Sequence, residues 1–320
     1  MDRRQFGWRA AALFGWLGVA GVGLVMITQA FGIDGFGWIA TFQALTPYGI
    51  PLVAVIVSIA HLRRLHRLAA TGALTGLSIL ILAMPIAFPA DQPRTRADSI
   101  GVSAAAVNLL YSNPSAEPAA AELALLDPDL LVFSEFTHRH AIALGTHPLS
   151  DRYPYQINDA RPFANGMALW SKYPLSELDR PASRNRTIEA IFDGPDGPLQ
   201  VFGVHPPTPV FDHDLWQRDL AALADQAAGT GMPTLMLGDF NASYWHPAFR
   251  SMLDHGLVDA HTANGHGWST SWPTDEIIPA FVRLDHALTG NGLVATGVAD
   301  FDVPGSDHAG FVVTVKPEAG

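Results

Sequence analysis

The chain has 320 residues, with 30 Asp plus Glu against 19 Lys plus Arg and no cysteine, so disulfides, thiolate metal sites and a cysteine nucleophile are excluded. Its length has room for a membrane segment followed by a folded domain with a sizeable core. The charge is divided: up to residue 89 six Arg stand against two acids, a net +4, whereas from residue 90 onward 13 basic residues stand against 28 acidic ones, a net −15 that repels polyanions at long range.

Three apolar runs come first, at about residues 10 to 31, 39 to 60 and 69 to 89, and none contains Lys, Arg or Glu or an internal Asp. Each is close to the roughly 20 residues that cross a bilayer as a helix. The first could be a signal peptide, but it is longer than a usual signal core and is read as a retained span. Pro47 and Gly49 predict a bend in the second span. Arg3, Arg4 and Arg9 flank the first span and Arg63, Arg64 and Arg67 fill the second loop, while residues 32 to 38 carry no positive charge. By the positive-inside rule the third span then delivers residue 90 onward to the extracytoplasmic side of a multi-pass protein of the cell (inner, cytoplasmic) membrane, although Arg94 and Arg96 oppose this mildly. Without intramembrane ionisable residues to mark a transport path, the helices are expected to be an anchor. The expected organisation is an anchor over 1–89, a linker over 90–100 and a catalytic domain over 101–320.

Short β-type runs then recur at Val102 to Leu110, Leu130 to Ser134, Met167 to Trp170, Leu199 to Val204, Thr234 to Leu237 and Phe311 to Val315. Helical spacing appears at Ala119 to Leu126 and Leu215 to Ala228, and turn signals fall at Pro154, Gly194 to Gly197 and Gly290 to Gly292. Several strands end in hard oxygen ligands or an imidazole: Val107-Asn108, Phe133-Ser134-Glu135, Val204-His205 and Gly238-Asp239-Phe240-Asn241. Two later segments add Arg283-Leu284-Asp285-His286 and Gly305-Ser306-Asp307-His308. Magnesium favours such sites, where one or two carboxylates leave room for water and substrate oxygens.

In this order, across about residues 101 to 315, the residues Asn, Glu, His, Gly-Asp-Phe-Asn, Asp and Ser-Asp-His resemble the endonuclease/exonuclease/phosphatase superfamily, typified by deoxyribonuclease I and the abasic-site endonucleases. Each motif alone is weak; the ordered set is specific. The resemblance implies an α+β fold, a four-layer α/β/β/α sandwich (DNase I-like) preceded here by three transmembrane helices. It implies a metal-dependent hydrolase of phosphate ester or phosphoanhydride bonds using Mg2+ (or Mn2+). Glu135 would bind the cation, with Asn108 beside it and Asp307 completing its surroundings. Asp239 would orient and deprotonate water, with Asn241 fixing the water or the phosphoryl group. Asp285 would hold His308 in one tautomer, and His205 would contact phosphate or assist the leaving oxygen. The resemblance extends to bacterial members with a similar three-helix anchor that act on undecaprenyl pyrophosphate.

The expected partners are therefore the lipid bilayer and a phosphorylated, lipid-linked substrate; nucleic acid fits the acidic domain less well. An extracytoplasmic nuclease and a non-catalytic membrane-tethered interaction module are the alternatives. His138, His140, His213, His246, His255, His261 and His266 lack a strand-end setting or a carboxylate partner that would make a zinc site. Trp216, Trp245, Trp268 and Trp272 read as core or cleft wall. Arg184 and Arg186 read as solvated loop charge, and Glu189 is a candidate to orient His205.

Overall fold

The computed structural model describes residues 3–114, 116–178, 187–275 and 277–320. The N-terminal part is helical: α1 (Arg3–Ala30), α2 (Gly37–Ala44), a single 3-10 turn at Thr46–Tyr48, α3 (Gly49–Leu62) and α4 (His66–Ala87). Arg9–Ala30 and His66–Ala87, 22 residues each, are long and apolar enough to cross a membrane. The second apolar run is not one straight helix, because α2 and the Thr46–Leu62 segment meet at 52°. Pro47 has no N–H to donate and sits in the bend, where the sequence predicts it. Leu13, Phe14, Leu24, Leu74 and Ile81 are all more than half exposed. Such apolar surface is what a bilayer, rather than water, would cover.

The remainder alternates in chain order: β1 (Val102–Asn108), α5 (Glu117–Leu126), β2 (Leu130–Ser134), α6 (His138–Thr146), β3 (Tyr155–Asp159), β4 (Met167–Ser171), β5 (Leu175–Glu177), β6 (Ile188–Gly194), β7 (Gly197–Val204), α7 (His213–Thr230), β8 (Thr234–Asp239), α8 (Pro247–Asp254), β9 (Val258–Asp259), α9 (Ala260–Ala263), β10 (Asp285–Gly290), β11 (Leu293–Phe301) and β12 (Gly310–Pro317). They build two six-stranded sheets, ordered β11-β12-β1-β2-β4-β3 and β5-β6-β7-β8-β10-β9. Parallel pairs, β1 with β2 and β7 with β8, lie at the centre of each sheet and are buried on both faces.

Side-chain alternation along those strands divides the core into three. Ala104, Val132, Leu169, Val201 and Leu237 pack between the sheets. Val107, Phe133 and Trp170 face outward against Ala120 and Leu123 of α5 and Leu144 of α6. On the other side Phe202 and Met236 face Trp216 and Leu220 of α7 and Phe249 of α8. Helix, sheet, sheet and helix therefore stack as four layers, and burying each large core side chain stabilises the stack by about 1.5–3 kcal/mol.

The helical part is joined to the sandwich by hydrogen bonds from its helices and their connections. His246 accepts the Ser243 N–H at Nδ1 (2.7 Å) and so donates from Nε2 to Ala40 O (2.9 Å). Asp34, between α1 and α2, accepts the Ala248 N–H in the first turn of α8 (3.0 Å), a capping role for a carboxylate. Arg250 Nη2 donates to Gln29 Oε1 (2.7 Å), Tyr244 Oη to Leu82 O (3.0 Å) and Tyr48 Oη to Phe281 O (2.9 Å). Residues 94–96 pair with the C-terminal strand, Arg96 N donating to Pro317 O (2.9 Å).

A buried ion pair braces the second sheet: Asp259 Oδ1 lies 3.0 Å from His286 Nδ1, and Oδ2 accepts the Thr262 N–H at 2.8 Å. Burial opposes ionisation of Asp259, but the His286 hydrogen bond and charge override it and hold the carboxyl well below the usual range. Removing one partner of such a pair costs about 3–5 kcal/mol, and Asp259→Ala is expected to lose that much in chemical denaturation of the full-length protein. A depressed folded pKa contributes stability above the unfolded value, about 4, and loses it as pH falls further. The difference between wild type and Asp259→Ala should accordingly shrink on acidification; a gap that persists unchanged to pH 3 would refute the linkage.

Candidate functional site

The central strands of both sheets release their ends on one edge of the sandwich. Asn108 closes β1, opposite Ser134 of β2, and Glu135 follows at once. Val204 of β7 lies opposite Gly238 of β8, so His205 and Asp239 leave the second sheet together, and Asp285 of β10 is registered against Asp239. Gly238 is required there: its φ is +141°, and a Cβ would meet Val204 O at 2.2 Å. Ser306 carries the last loop in, its Oγ donating to Asn108 O at 2.7 Å. Glu135 (φ +56°) and Asn241 (φ +48°) hold left-handed conformations that are costly for residues with a Cβ, and such strain tends to collect at functional sites.

Asp239 Oδ2 is the hub. It accepts Asn108 Nδ2 at 3.1 Å and lies 3.6 Å from His205 Nε2 and 3.8 Å from His308 Nε2. Oδ1 accepts the Asn241 N–H at 2.8 Å. Burial pushes the Asp239 carboxyl up to about 7 against the pull of the His308 charge, and Asp285 adds to the rise. His308 Nδ1 is 2.8 Å from Asp285 Oδ2, which also accepts Ser271 Oγ at 2.6 Å. Burial alone would lower the His308 pKa, but the charges of Asp285 and Asp239 hold it up to about 10. A carboxyl that titrates near neutrality beside a charged imidazole is suited to moving protons at a reacting oxygen.

Glu135 is half-buried. Its Oε1 lies 3.3 Å from Asn108 Nδ2, and its Oε2 accepts the Tyr111 N–H at 2.8 Å. Asp307 Oδ2 accepts the Trp272 indole N–H at 3.0 Å. Its Oδ1 is buried with no hydrogen-bond partner among the described residues, 4.0 Å from His308 Nε2. Asn241 Nδ2 donates to Pro206 O at 3.0 Å, tying the loop after β8 to the one after β7. All eight residues singled out in the sequence thus reach this edge.

Metal chemistry has two candidate seats here. Asp239, Asp285 and His308 each offer a ligand atom within 4.8 Å of the others, so this group could hold a cation. Asp285 Oδ2 is already engaged by Ser271 and by His308 Nδ1, which leaves it less free to bind an ion. The carboxylates of Glu135 and Asp307 flank this buried cluster. A buried carboxylate oxygen without a hydrogen-bond donor, as Asp307 Oδ1 is, suits a hard cation.

Sequence reasoning missed the residues that position these groups. Ser271 Oγ donates to Asp285 Oδ2 and accepts the Leu284 N–H at 3.0 Å. Trp272, expected as core or cleft wall, also holds Asp307, and its ring lies 6.5 Å from that of His308. His286 anchors the loop beyond Asp239 through Ala242 O at 3.0 Å. No local pattern marks Ser271 or Trp272, whereas His286 adjoins a motif residue. Glu189 accepts Gln200 Nε2 from the neighbouring strand. Of the remaining histidines, His261 faces Asp300 (3.1 Å) and His140 the carbonyls of Glu135 and Asn113, as hydrogen-bonded core residues. Trp216 and Trp245 are buried while Trp268 is half exposed. Arg184 and Arg186 lie outside the described residues.

Among solved structures, the chain is similar to a humanized D. rerio TDP2 carrying 14 mutations, with 15% identity over 68% of this chain and 100% of that one and a TM-score of 0.56. It is also similar to an endonuclease/exonuclease/phosphatase from Bacteroides vulgatus, with 16% identity, 69% and 100% coverage and a TM-score of 0.56. An AP endonuclease from Archaeoglobus fulgidus gives 15% identity, 66% and 98% coverage and a TM-score of 0.52. At these identities the likeness is one of fold. No curated protein matches the sequence. The sequence pattern of the Endonuclease/Exonuclease/phosphatase family, however, matches residues 105–308, from the middle of β1 to His308, which is more than half of the chain. The chain therefore belongs to the Endonuclease/Exonuclease/phosphatase family of phosphoester hydrolases.

Proposed function

We propose that this protein is a membrane-anchored phosphoesterase, dependent on a divalent cation, that hydrolyses a phosphate or pyrophosphate carried on a lipid. Residues 1–89 form the anchor with three spans, 90–100 the link and 101–320 the catalytic domain, which lies on the extracytoplasmic side. One observation above all supports a substrate from the bilayer: the bend in the second span is joined to the wall of the site. Tyr48 Oη donates to Phe281 O, Phe281 packs on Trp272 with centroids 5.8 Å apart, and Trp272 holds Asp307. A tether alone needs no such attachment.

The geometry is consistent with the following roles. Glu135 and Asp307, with Asn108 beside them, would hold Mg2+ or Mn2+, which when bound neutralises phosphoryl oxygens. Asp239 orients a water and takes its proton, for which a carboxyl titrating near 7 is matched to neutral pH. Asn108 and the Asn241 N–H fix that carboxylate. His308, held by Asp285, which Ser271 in turn hydrogen-bonds, presents a charged Nε2 to the phosphoryl group, and His205 supports the leaving oxygen. Glu135→Gln keeps the shape but removes the charge. It is expected to raise the cation concentration for half-maximal activity by at least the 10- to 100-fold that loss of a supporting group typically costs, with weaker binding of the cation in calorimetry. Unchanged cation dependence would move the ion to the Asp239, Asp285 and His308 group.

A nuclease is the alternative, because one similar structure is a D. rerio TDP2 with a single-strand DNA product and another is an AP endonuclease. The net −15 of residues 90–320 opposes binding of a polyanion. The deciding experiment is phosphate release by full-length protein, with magnesium or with chelator, from a polyprenyl pyrophosphate, a phospholipid and single- and double-stranded DNA. Turnover of a lipid substrate alone is expected; cleavage of DNA alone would replace the proposal by the nuclease, and no turnover would favour a non-catalytic module.

A further inference from the structure

Between α1 and the bent α2–α3 pair lies a groove of about 690 Å³, walled by Leu17, Gly21 and Val25 on one side and by Ile39, Phe42 and Leu52 on the other. Its α1 wall runs from Leu17 to Thr28, about 16 Å along a helix axis. That is about half of the ~30 Å hydrocarbon thickness, so the groove is as deep as one leaflet. It belongs to the leaflet on the catalytic side, since the C-terminal end of α1 is where Gln29 meets Arg250. Valine 210 and Phe211, strongly exposed, sit beside the start of α2, where Gly37 touches Pro209.

Polar contacts hold the groove open. Gln29 Nε2 donates to Thr46 Oγ1 (3.0 Å), Gln43 Nε2 to Thr28 Oγ1 (3.1 Å) and Thr46 Oγ1 to Gln43 O (2.7 Å). These bonds fix the bend against α1, and Arg250 ties the same network to the catalytic domain. Pre-formed apolar clefts with a few fixed polar groups are typical ligand seats.

The position of the groove identifies its occupant: an apolar cleft one leaflet deep, opening on the bilayer, suits a single hydrocarbon chain. Tyr48, at the outer end of the groove, packs on Phe281 (6.5 Å between centroids), Phe281 on Trp272 (5.8 Å) and Trp272 on His308 (6.5 Å). The groove therefore ends beside the wall of the phosphate site.

We propose that this groove seats the hydrocarbon chain of the substrate lipid, so that the enzyme selects its substrate by chain as well as by phosphate. The assignment rests on the lipid-phosphate function proposed above. A Cβ at Gly21, on the groove, meets nothing within 4 Å, and the same holds at Gly23, which does not line it. Gly21→Leu thus fills the groove, and Gly23→Leu is the matched control.

The test uses full-length protein in nanodiscs, with a long-chain polyprenyl pyrophosphate and dimethylallyl pyrophosphate, which share a head group. In Gly21→Leu the ratio of kcat/KM for long over short chain is expected to fall about tenfold, the loss that follows from displacing about two methylenes, and in Gly23→Leu to hold. A photoreactive polyprenyl phosphate should label the 17–52 segment in the wild type and not in Gly21→Leu. Equal kcat/KM for the two chains in the wild type, an equal fall in both variants, or equal labelling by a phospholipid probe would overturn the groove and leave the lipid-phosphate function standing. If the wild type hydrolyses neither compound with metal present, both fall together.

Discussion

Asp239→Asn is expected to lower metal-dependent phosphate release by about 10³-fold, within the 10²- to 10⁴-fold range of a positioned general base, while the sandwich stays folded. The substitution preserves shape but removes the carboxylate oxygen that, among the described residues, faces Asn108, His205 and His308 together. The same change has an opposite effect on stability. The folded carboxyl titrates at about 7, above its ordinary 3.8, so ionising it in the buried site is unfavourable. Its contribution is fullest below about pH 4 and is lost as pH rises toward 7. With chelator present, Asp239→Asn should therefore unfold at a temperature equal to or above that of the wild type at pH 8, the pattern expected when function holds a buried charge in place. Activity within threefold of wild type at saturating magnesium would remove Asp239 from the chemistry.

The central strands, and the residues gathered at the candidate site, were legible in the sequence for one physical reason. β1, β2, β4, β7, β8 and β12 are buried on one or both faces, so they appear as apolar runs, and four ends of such runs or the residues just after them carry the polar side chains. Strands at the margins were not legible. β3 (Tyr-Gln-Ile-Asn-Asp) is an edge strand with largely exposed side chains, and β11 shifts register between Ala295 and Gly297, which breaks the alternation. β6 was passed over beside its turn, although it is as buried as β7 along most of its length.

The bend in the second span could be read from Pro47 and Gly49, but not what the bend does. Tyr48 meets Phe281 across 233 residues and Asp34 meets Ala248 across 214, and neither contact leaves a local pattern. The same holds for Ser271 and Trp272, polar and aromatic residues in an irregular segment. Their importance comes only from lying beside Asp285 and Asp307 after folding.

Asp285→Asn is the second substitution expected to have a large effect, a loss of about 10²- to 10⁴-fold near pH 8, by analogy with removing the charge that orients a catalytic imidazole. Asp285 touches neither the attacking water nor the proposed cation seat at Glu135, so its effect passes through His308. Two contacts define it: Oδ2 receives the His308 Nδ1–H at 2.8 Å and the Ser271 hydroxyl at 2.6 Å. A neutral amide there withdraws the largest of the charges that hold His308 up to about 10 against burial, and the imidazole then loses its proton at lower pH. In the wild type the charged ring persists through neutrality, whereas in Asp285→Asn it is recovered only on acidification. The deficit relative to wild type should therefore be greatest at pH 8 and narrow toward pH 6, with KM for a short-chain pyrophosphate little changed, since the ring still occupies its place. Ser271→Ala, which removes the hydroxyl's hydrogen bonds with Asp285 and the Leu284 N–H but no charge, should give a smaller loss that does not vary with pH. A deficit in Asp285→Asn that is the same at pH 6 and pH 8 would mean that Asp285 only positions the ring, and that the charge on His308 takes no part in the reaction.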